Sequence, residues 1–320
     1  MYLGIEIGGT KLQLGVGTGD KPEFIDFVRL DIDADHGAAG IREQIKTAGR
    51  KLIEKHNVVR VGYGFGGPID GVAGVVRISH QVEGWEQFPL ADWTQQELGR
   101  PAVVRNDCDS AAYAESCYGA GKDKNHLFFI TSGTGVGGGL VLNRQLVGAD
   151  RPAIAEIGHL RPGLDCTDPH DTIESRASGR GIETWLRAQL QPGVALDDEM
   201  GEARTELLMR SAGDLRQVTG KTIAAAALEG NPLAIASLER ATRALGWAVA
   251  QVVTLIAPEV IVIGGGVSLM GEELFFEPIR RYASEYVFPQ LRQQYEIVPA
   301  ALGEDVVVHG AIALAAKSNY

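Results

Sequence analysis

Basic charge and paired thiols are what this chain is short of. Its net charge is −11 and its pI is near 5.2. A nucleic-acid binder needs a basic face to neutralise phosphates, so nucleic acid is not expected as a partner. The three cysteines, Cys108, Cys117 and Cys166, are odd in number and form no CxxC pair. That excludes a disulfide framework and a simple zinc knuckle, and reads as reduced structural thiols. No apolar run reaches the roughly 18 residues of a membrane span. The opening Met1-Tyr2-Leu3-Gly4-Ile5-Glu6 has neither the basic start nor the apolar stretch of a secretion signal. A cytoplasmic protein with no membrane partner is expected. Long linkers and low-complexity tracts are also missing, and 320 residues imply about two domains.

Glycine, by contrast, is plentiful, with 41 residues, and it gathers at the ends of apolar strands. The stretch Phe128-Phe129-Ile130-Thr131-Ser132-Gly133-Thr134-Gly135-Val136-Gly137-Gly138-Gly139-Leu140-Val141-Leu142 runs from strand to glycine turn to strand. Such a turn bares backbone N–H groups and carries few side chains to block an anion, which suits phosphate. The same plan stands near the start. An apolar run at 3–7 meets Gly8-Gly9-Thr10, and Lys11 to Val16 then alternates polar with apolar as a half-buried strand does. Two like hairpins imply two related lobes. A third cluster, Gly264-Gly265-Gly266, ends the buried strand Val260–Ile263.

Between and after these lie further elements. The pattern predicts helices at 41–56, 90–98, 108–117, 177–190, 198–212, 220–229, 232–256 and 306–317, and strands at 58–63, 72–78 and 102–104. Gly64-Phe65-Gly66-Gly67-Pro68 is a loop leaving a strand. After residue 150 the chain turns polar, and Glu156, His159, Asp165, Asp168, His170, Asp171 and Glu174 crowd into one loop.

The glycine motifs can be sorted by elimination. Gly4 to Gly9 has Walker spacing, but Thr10 stands where the first Lys of that motif belongs. Gly133-x-Gly135-x-x-Gly138 matches the dinucleotide fingerprint, with Glu156 about 20 residues on, yet that motif needs a helix directly after it and Leu140-Val141-Leu142 is strand-like. Two hairpin-type loops and a third cluster after a late strand point instead to two lobes gripping a nucleotide. With these pieces in this order, the chain resembles the ROK family of bacterial sugar kinases and repressors over nearly its whole length.

The resemblance implies an α/β, two-lobed actin-like ATPase (ribonuclease H-like) fold with a ligand cleft between the lobes. Residues 1–118, completed by a C-terminal helix at about 305–320, would form the smaller lobe and 119–304 the larger. It implies an ATP- and Mg²⁺-dependent hexose kinase, glucokinase-like, acting on a primary hydroxyl, and a homodimer. Gly8, Gly9, Thr10 and Lys11 would form the first phosphate loop, Gly133, Thr134 and Gly135 the second, and Gly264, Gly265 and Gly266 would lie against the adenosine. Transfer to a hydroxyl needs a carboxylate to accept its proton. The family's Asn-Asp pair falls on Asn106, a sugar contact, and Asp107, the base; local sequence also allows Asp107 as a helix N-cap, and the two roles are compatible. Gly67, Glu156, His159 and Glu174 would complete the sugar contacts.

Three departures from the family stand out. Its zinc cysteines are replaced, counting back from Glu174, by Asp165, Thr167 and Thr172, with Cys166 out of register; two threonines cannot stand in for thiolates, so no zinc is expected. A different site built from His159, Cys166, His170 and Asp171 is the lesser alternative. Glu6 replaces an Asp facing the Mg²⁺ side, where a water can take up the extra methylene. Gln81 replaces an Asn among the sugar contacts. These changes keep open an alternative, a catalytically weak or inactive sugar-binding or regulatory protein. The chain opens directly in its first strand, with no DNA-binding helices before it, which argues against a repressor.

Overall fold

Apolar runs interrupted at alternate positions by glycine build strands that are buried on both faces, because the glycine side can lie flush against a helix. The structure, a computed structural model, describes residues 1–32, 36–79, 81–151 and 153–317. In it β1 (Tyr2–Ile7), β2 (Lys11–Gly17) and β3 (Asp26–Asp31) form an antiparallel meander. After α1 (Gly37–His56) come β4 (Arg60–Phe65), a small ladder of β5 (Ile69–Asp70) and β6 (Val75–Val76), α2 (Leu90–Leu98), β7 (Ala102–Asn106) and α3 (Asp107–Cys117). β4 and β7 add in parallel, giving the order β3-β2-β1-β4-β7. β8 (Leu127–Ser132), β9 (Val136–Leu142) and β10 (Gln145–Leu146) open the second sheet. Next come α4 (Ile173–Ala177), α5 (Gly179–Gln189), α6 (Asp198–Arg210), α7 (Gly220–Leu228), α8 (Pro232–Ile256), β11 (Val260–Gly264), α9 (Glu277–Tyr286), β12 (Glu296–Pro299) and α10 (Val306–Lys317). The order of this sheet, β10-β9-β8-β11-β12, repeats the plan of the first. Two compact units result: Met1–Phe129, Gly138–Ala155 and Ala300–Tyr320 form one, Ile130–Gly137 and Glu156–Pro299 the other.

In the first unit, Leu3, Ile5, Leu12, Leu14 and Val16 share a core with Ile41, Ile45 and Leu52 of α1. The opposite face of the sheet is glycine, and α10 lies on it: a Cβ on Gly4 would come within 2.5 Å of the Val308 carbonyl, and one on Gly62 within 1.9 Å of that of Ala311. β2 is therefore fully covered rather than half-buried. Gln13 is wholly buried, with its Nε2 donating to Asp305 at 2.8 Å. α10 meets α3 equally closely, since a Cβ on Gly310 would stand 1.9 Å from the Ser110 carbonyl oxygen. Gly310→Ala should destabilise the chain by about 1–3 kcal/mol through this backbone clash, seen as a lower urea midpoint.

Several expected elements shift. The single strand at 72–78 is instead the β5–β6 ladder, whose turn carries Gly74 at φ 66° and an Asp70 side chain accepting from Ala73 N–H. The helix at 177–190 breaks at Ser178, which is extended and caps α5 by accepting from Gly181 N–H at 3.0 Å. Residues 318–320 of the expected C-terminal helix lie outside the described residues. No described helix is long and apolar enough to cross a membrane.

Candidate functional site

Parallel pairing brings three strand ends of the first unit into line. Ile7 pairs with Phe65, and Phe65 with Asn106, so Glu6, the Gly66–Gly67 loop and Asp107 gather at the carboxyl edge of β1, β4 and β7, where α/β sheets bind ligands. Asn106 is the N-cap of α3: its Oδ1 accepts from Cys108 and Asp109 N–H at 2.7 and 3.1 Å, and its Nδ2 donates to the Gly67 carbonyl at 3.4 Å. Asp107 is the first helical residue rather than the cap, and its Oδ1 accepts from Cys108 N–H at 2.8 Å. Burial pushes its carboxyl above the ordinary carboxylate range. A Cβ on Gly66 would lie 3.6 Å from Asp107 Oδ2, an ordinary contact distance, so the loop passes beside this oxygen.

Glu6 is buried beside Asp107. Burial is the main cause that pushes its pKa up to about 7; the Asp107 and Asp305 charges add to the rise and Lys11, 3.6 Å away, opposes it. Glu6 Oε2 is buried with no hydrogen-bond donor among the described residues. In the first glycine turn, Gly8 N–H donates to the Lys11 carbonyl at 3.1 Å. Gln81 lies on this turn, its Oε1 1.7 Å from where a Cβ of Gly9 would stand, so only glycine fits at position 9 with Gln81 so placed.

The second unit holds the other two glycine clusters. Gly133 and Thr134 share a cavity of about 1000 Å³ with Gly266, Val267, Gly179 and Gly220. Gly265, at φ 90°, leaves the strand so closely over Ser132 that a Cβ would meet its carbonyl oxygen at 2.4 Å. Arg180 and Lys221 also line the cavity, and nothing in the sequence singles them out. Not all of the glycine run serves this turn. Gly139 lies in the first unit, where its Cβ would stand 2.5 Å from the Cys108 carbonyl oxygen, so it answers to helix packing.

Of the expected sugar contacts in this unit, Glu156 precedes the single helical turn Ile157–His159 and His159 ends it, and His159 N–H donates to the Glu156 carbonyl at 3.1 Å. Glu174 on α4 accepts from Val136 N–H through Oε2 at 2.8 Å. The intervening loop is held by side chains. Arg176 Nε donates to Asp171 Oδ1 at 2.6 Å while its Nη2 reaches Oδ2, and Cys166 Sγ donates to the Asp171 carbonyl at 3.1 Å. Thr172 caps α4 by accepting from Ser175 N–H at 3.2 Å. Among the described residues, no group of three or more His, Cys, Asp or Glu side chains is arranged to hold a metal ion.

Two five-stranded sheets of one repeated order, with glycine turns after their first strands, make this an actin-like α/β fold. The ROK family model matches residues 2–318, and the chain belongs to the ROK family. It is similar to the glucokinase of Thermotoga maritima, 28% identical over 98% of this chain and 96% of that one. It is also similar to the glucokinase of Halalkalibacterium halodurans, 32% identical over 97% and 93% of the respective chains. Among solved structures, a ROK glucokinase from Streptomyces griseus in complex with glucose and AMPPNP superposes with a TM-score of 0.79, at 30% identity over 99% of both chains.

Proposed function

We propose that the protein is an ATP-dependent hexose kinase, glucokinase-like, moving the γ-phosphoryl group of ATP to a primary hydroxyl of a hexose. The observation that carries this is Asp107, a buried carboxylate with one oxygen held by its helix and the other beside the Gly66 backbone, at the carboxyl ends of three parallel strands. In the reaction Asp107 accepts the proton of the attacking hydroxyl, and Asn106 and Gly67 hold the sugar beside it. The family resemblance assigns Glu156, His159 and Glu174 to the sugar and the turns Gly133–Gly135 and Gly264–Gly266 to the nucleotide. Gly8 to Lys11, the first phosphate loop, is assigned to the phosphates as well.

Magnesium fits the residues present. Glu6 Oε2 is buried without a donor among the described residues, and Mg²⁺ is commonly held by one or two carboxylates, water and phosphate oxygens rather than by a full protein cage. When bound it would neutralise the triphosphate charge, with Glu6 facing it through water. Zinc has no part in this reading. A homodimer comes with the resemblance, a cytoplasmic location is the expectation read from the opening stretch, and the net charge of −11 supports the expectation of no nucleic-acid partner.

A second reading, a sugar-binding protein with weak catalysis, is favoured by one observation: the Gln81 carboxamide covers Gly9 of the first phosphate loop. A coupled ADP-release assay over glucose, fructose, mannose, allose and the N-acetylated hexosamines separates the two. The kinase reading expects strong ADP release with at least one of these sugars; a flat panel with nucleotide still bound favours the second.

A further inference from the structure

The β8–β9 turn is clamped from one side by a single short segment, Glu174 to Gly179. Val136 N–H donates to Glu174 Oε2, Ser132 Oγ donates to the Ala177 carbonyl, and Gly179 N–H donates to the Gly133 carbonyl, each at 2.8 Å. The carboxylate of Glu174 also fills the space beside Gly135, where a Cβ would stand 2.5 Å from Oε2. Val136 is held on its other side as well. Its carbonyl oxygen would be 2.0 Å from a Cβ on Gly158, so the turn carrying Glu156 and His159 rests directly on it. Val136, which closes the phosphate turn, thus sits between the Glu174 carboxylate and the Gly158 backbone of the turn that carries Glu156 and His159. Behind them, the Arg176–Asp171 pair joins α4 to the loop between His159 and Glu174.

We propose that Glu174 is a positioning residue for the nucleotide's phosphate turn as well as a sugar contact, so that sugar and nucleotide bind with positive coupling through this one carboxylate. The inference rests on the kinase reading for the identity of the two ligands. Oε2 is committed to Val136, which leaves Oε1 for a sugar hydroxyl. A hydroxyl at Oε1 fixes the carboxylate, the fixed carboxylate holds the Val136 N–H and the space beside Gly135, and the turn is then presented to phosphate already ordered. Reciprocity requires the nucleotide to tighten the sugar by the same factor.

Calorimetric titration of the full chain with AMPPNP and Mg²⁺, with and without glucose, tests this. In the absence of glucose, Glu174→Ala should weaken AMPPNP about tenfold, because a hydrogen bond to a charged acceptor is lost. Glu174→Gln should stay within about threefold of the parent, since its amide oxygen still accepts from Val136 N–H. Glucose should tighten AMPPNP severalfold in the parent and not in Glu174→Ala. If Glu174→Ala does not fold, Glu174→Asp, one methylene too short for Val136, should show the same loss. A parent chain that binds AMPPNP while the folded Ala or Asp variant binds it equally well without glucose overturns the inference alone. A parent chain that binds no AMPPNP overturns the kinase reading and this inference with it.

Discussion

Asp107→Asn is expected to lower kcat for phosphoryl transfer by about a thousandfold, the middle of the range for loss of a general base. The substitution should do little to the fold. An amide oxygen can still accept from Cys108 N–H, and the cap of α3 is Asn106, which is untouched. What is lost is the ability to take a proton from the attacking hydroxyl. Sugar binding should therefore survive in part while kcat collapses, and KM should change far less than kcat. Burial also raises the Asp107 carboxyl above its ordinary value, so in the parent enzyme activity should fall on the acid side at a pH above the usual carboxylate range. Turnover in Asp107→Asn within a few fold of the parent would contradict the assignment.

Glu6→Gln is expected to stabilise the ligand-free chain at pH 8 and to do so by roughly 1 kcal/mol less at pH 6, both values clear of the pI near 5.2. In the folded chain Glu6 holds its proton up to about pH 7, while the unfolded chain releases it near the ordinary value of 4.5. Between these values the folded state binds more protons, so stability is full below 4.5, falls as pH rises through the window, and reaches its full cost above about 7. That displacement corresponds to on the order of 3 kcal/mol. Gln carries no charge to bury, so the variant should lack this pH dependence. Urea midpoints of parent and variant at the two pH values, without Mg²⁺, give the comparison. A variant that gains no more at pH 8 than at pH 6 would show that burial does not hold Glu6 protonated in the folded chain. On the proposed role of Glu6 toward Mg²⁺, the gain should come with lost activity.

Local signals carry much of the fold. α8 begins where Asn231 caps it and Pro232 takes the first position, and its end and those of α10 match the apolar pattern. The two hairpins are legible because glycine turns follow apolar strands at both places. β3 and β12 are not, since both lie at sheet edges and carry charged residues that blur the alternation. α9 also goes unread, although Ile279, Tyr282 and Ala283 form a buried face of helical spacing. In the site, Asn106, Asp107 and the glycine turns can be named from type and order. The pairing of Glu174 with Val136 cannot, because it joins residues 38 positions apart through a backbone group that every sequence possesses. The break at Ser178 is hidden for a related reason: Ala177-Ser178-Gly179 reads as helix until the Gly179 N–H is known to bond with Gly133.

The most direct test is the product itself. Purified protein with ATP, Mg²⁺ and the hexose giving the strongest ADP release should yield, by ³¹P NMR, a hexose phosphate substituted at the primary hydroxyl, formed in step with ADP and missing with Asp107→Asn. ADP and free phosphate appearing with no sugar phosphate, or a sugar phosphate formed equally well by the Asp107→Asn variant, would contradict an Asp107-driven hexose kinase.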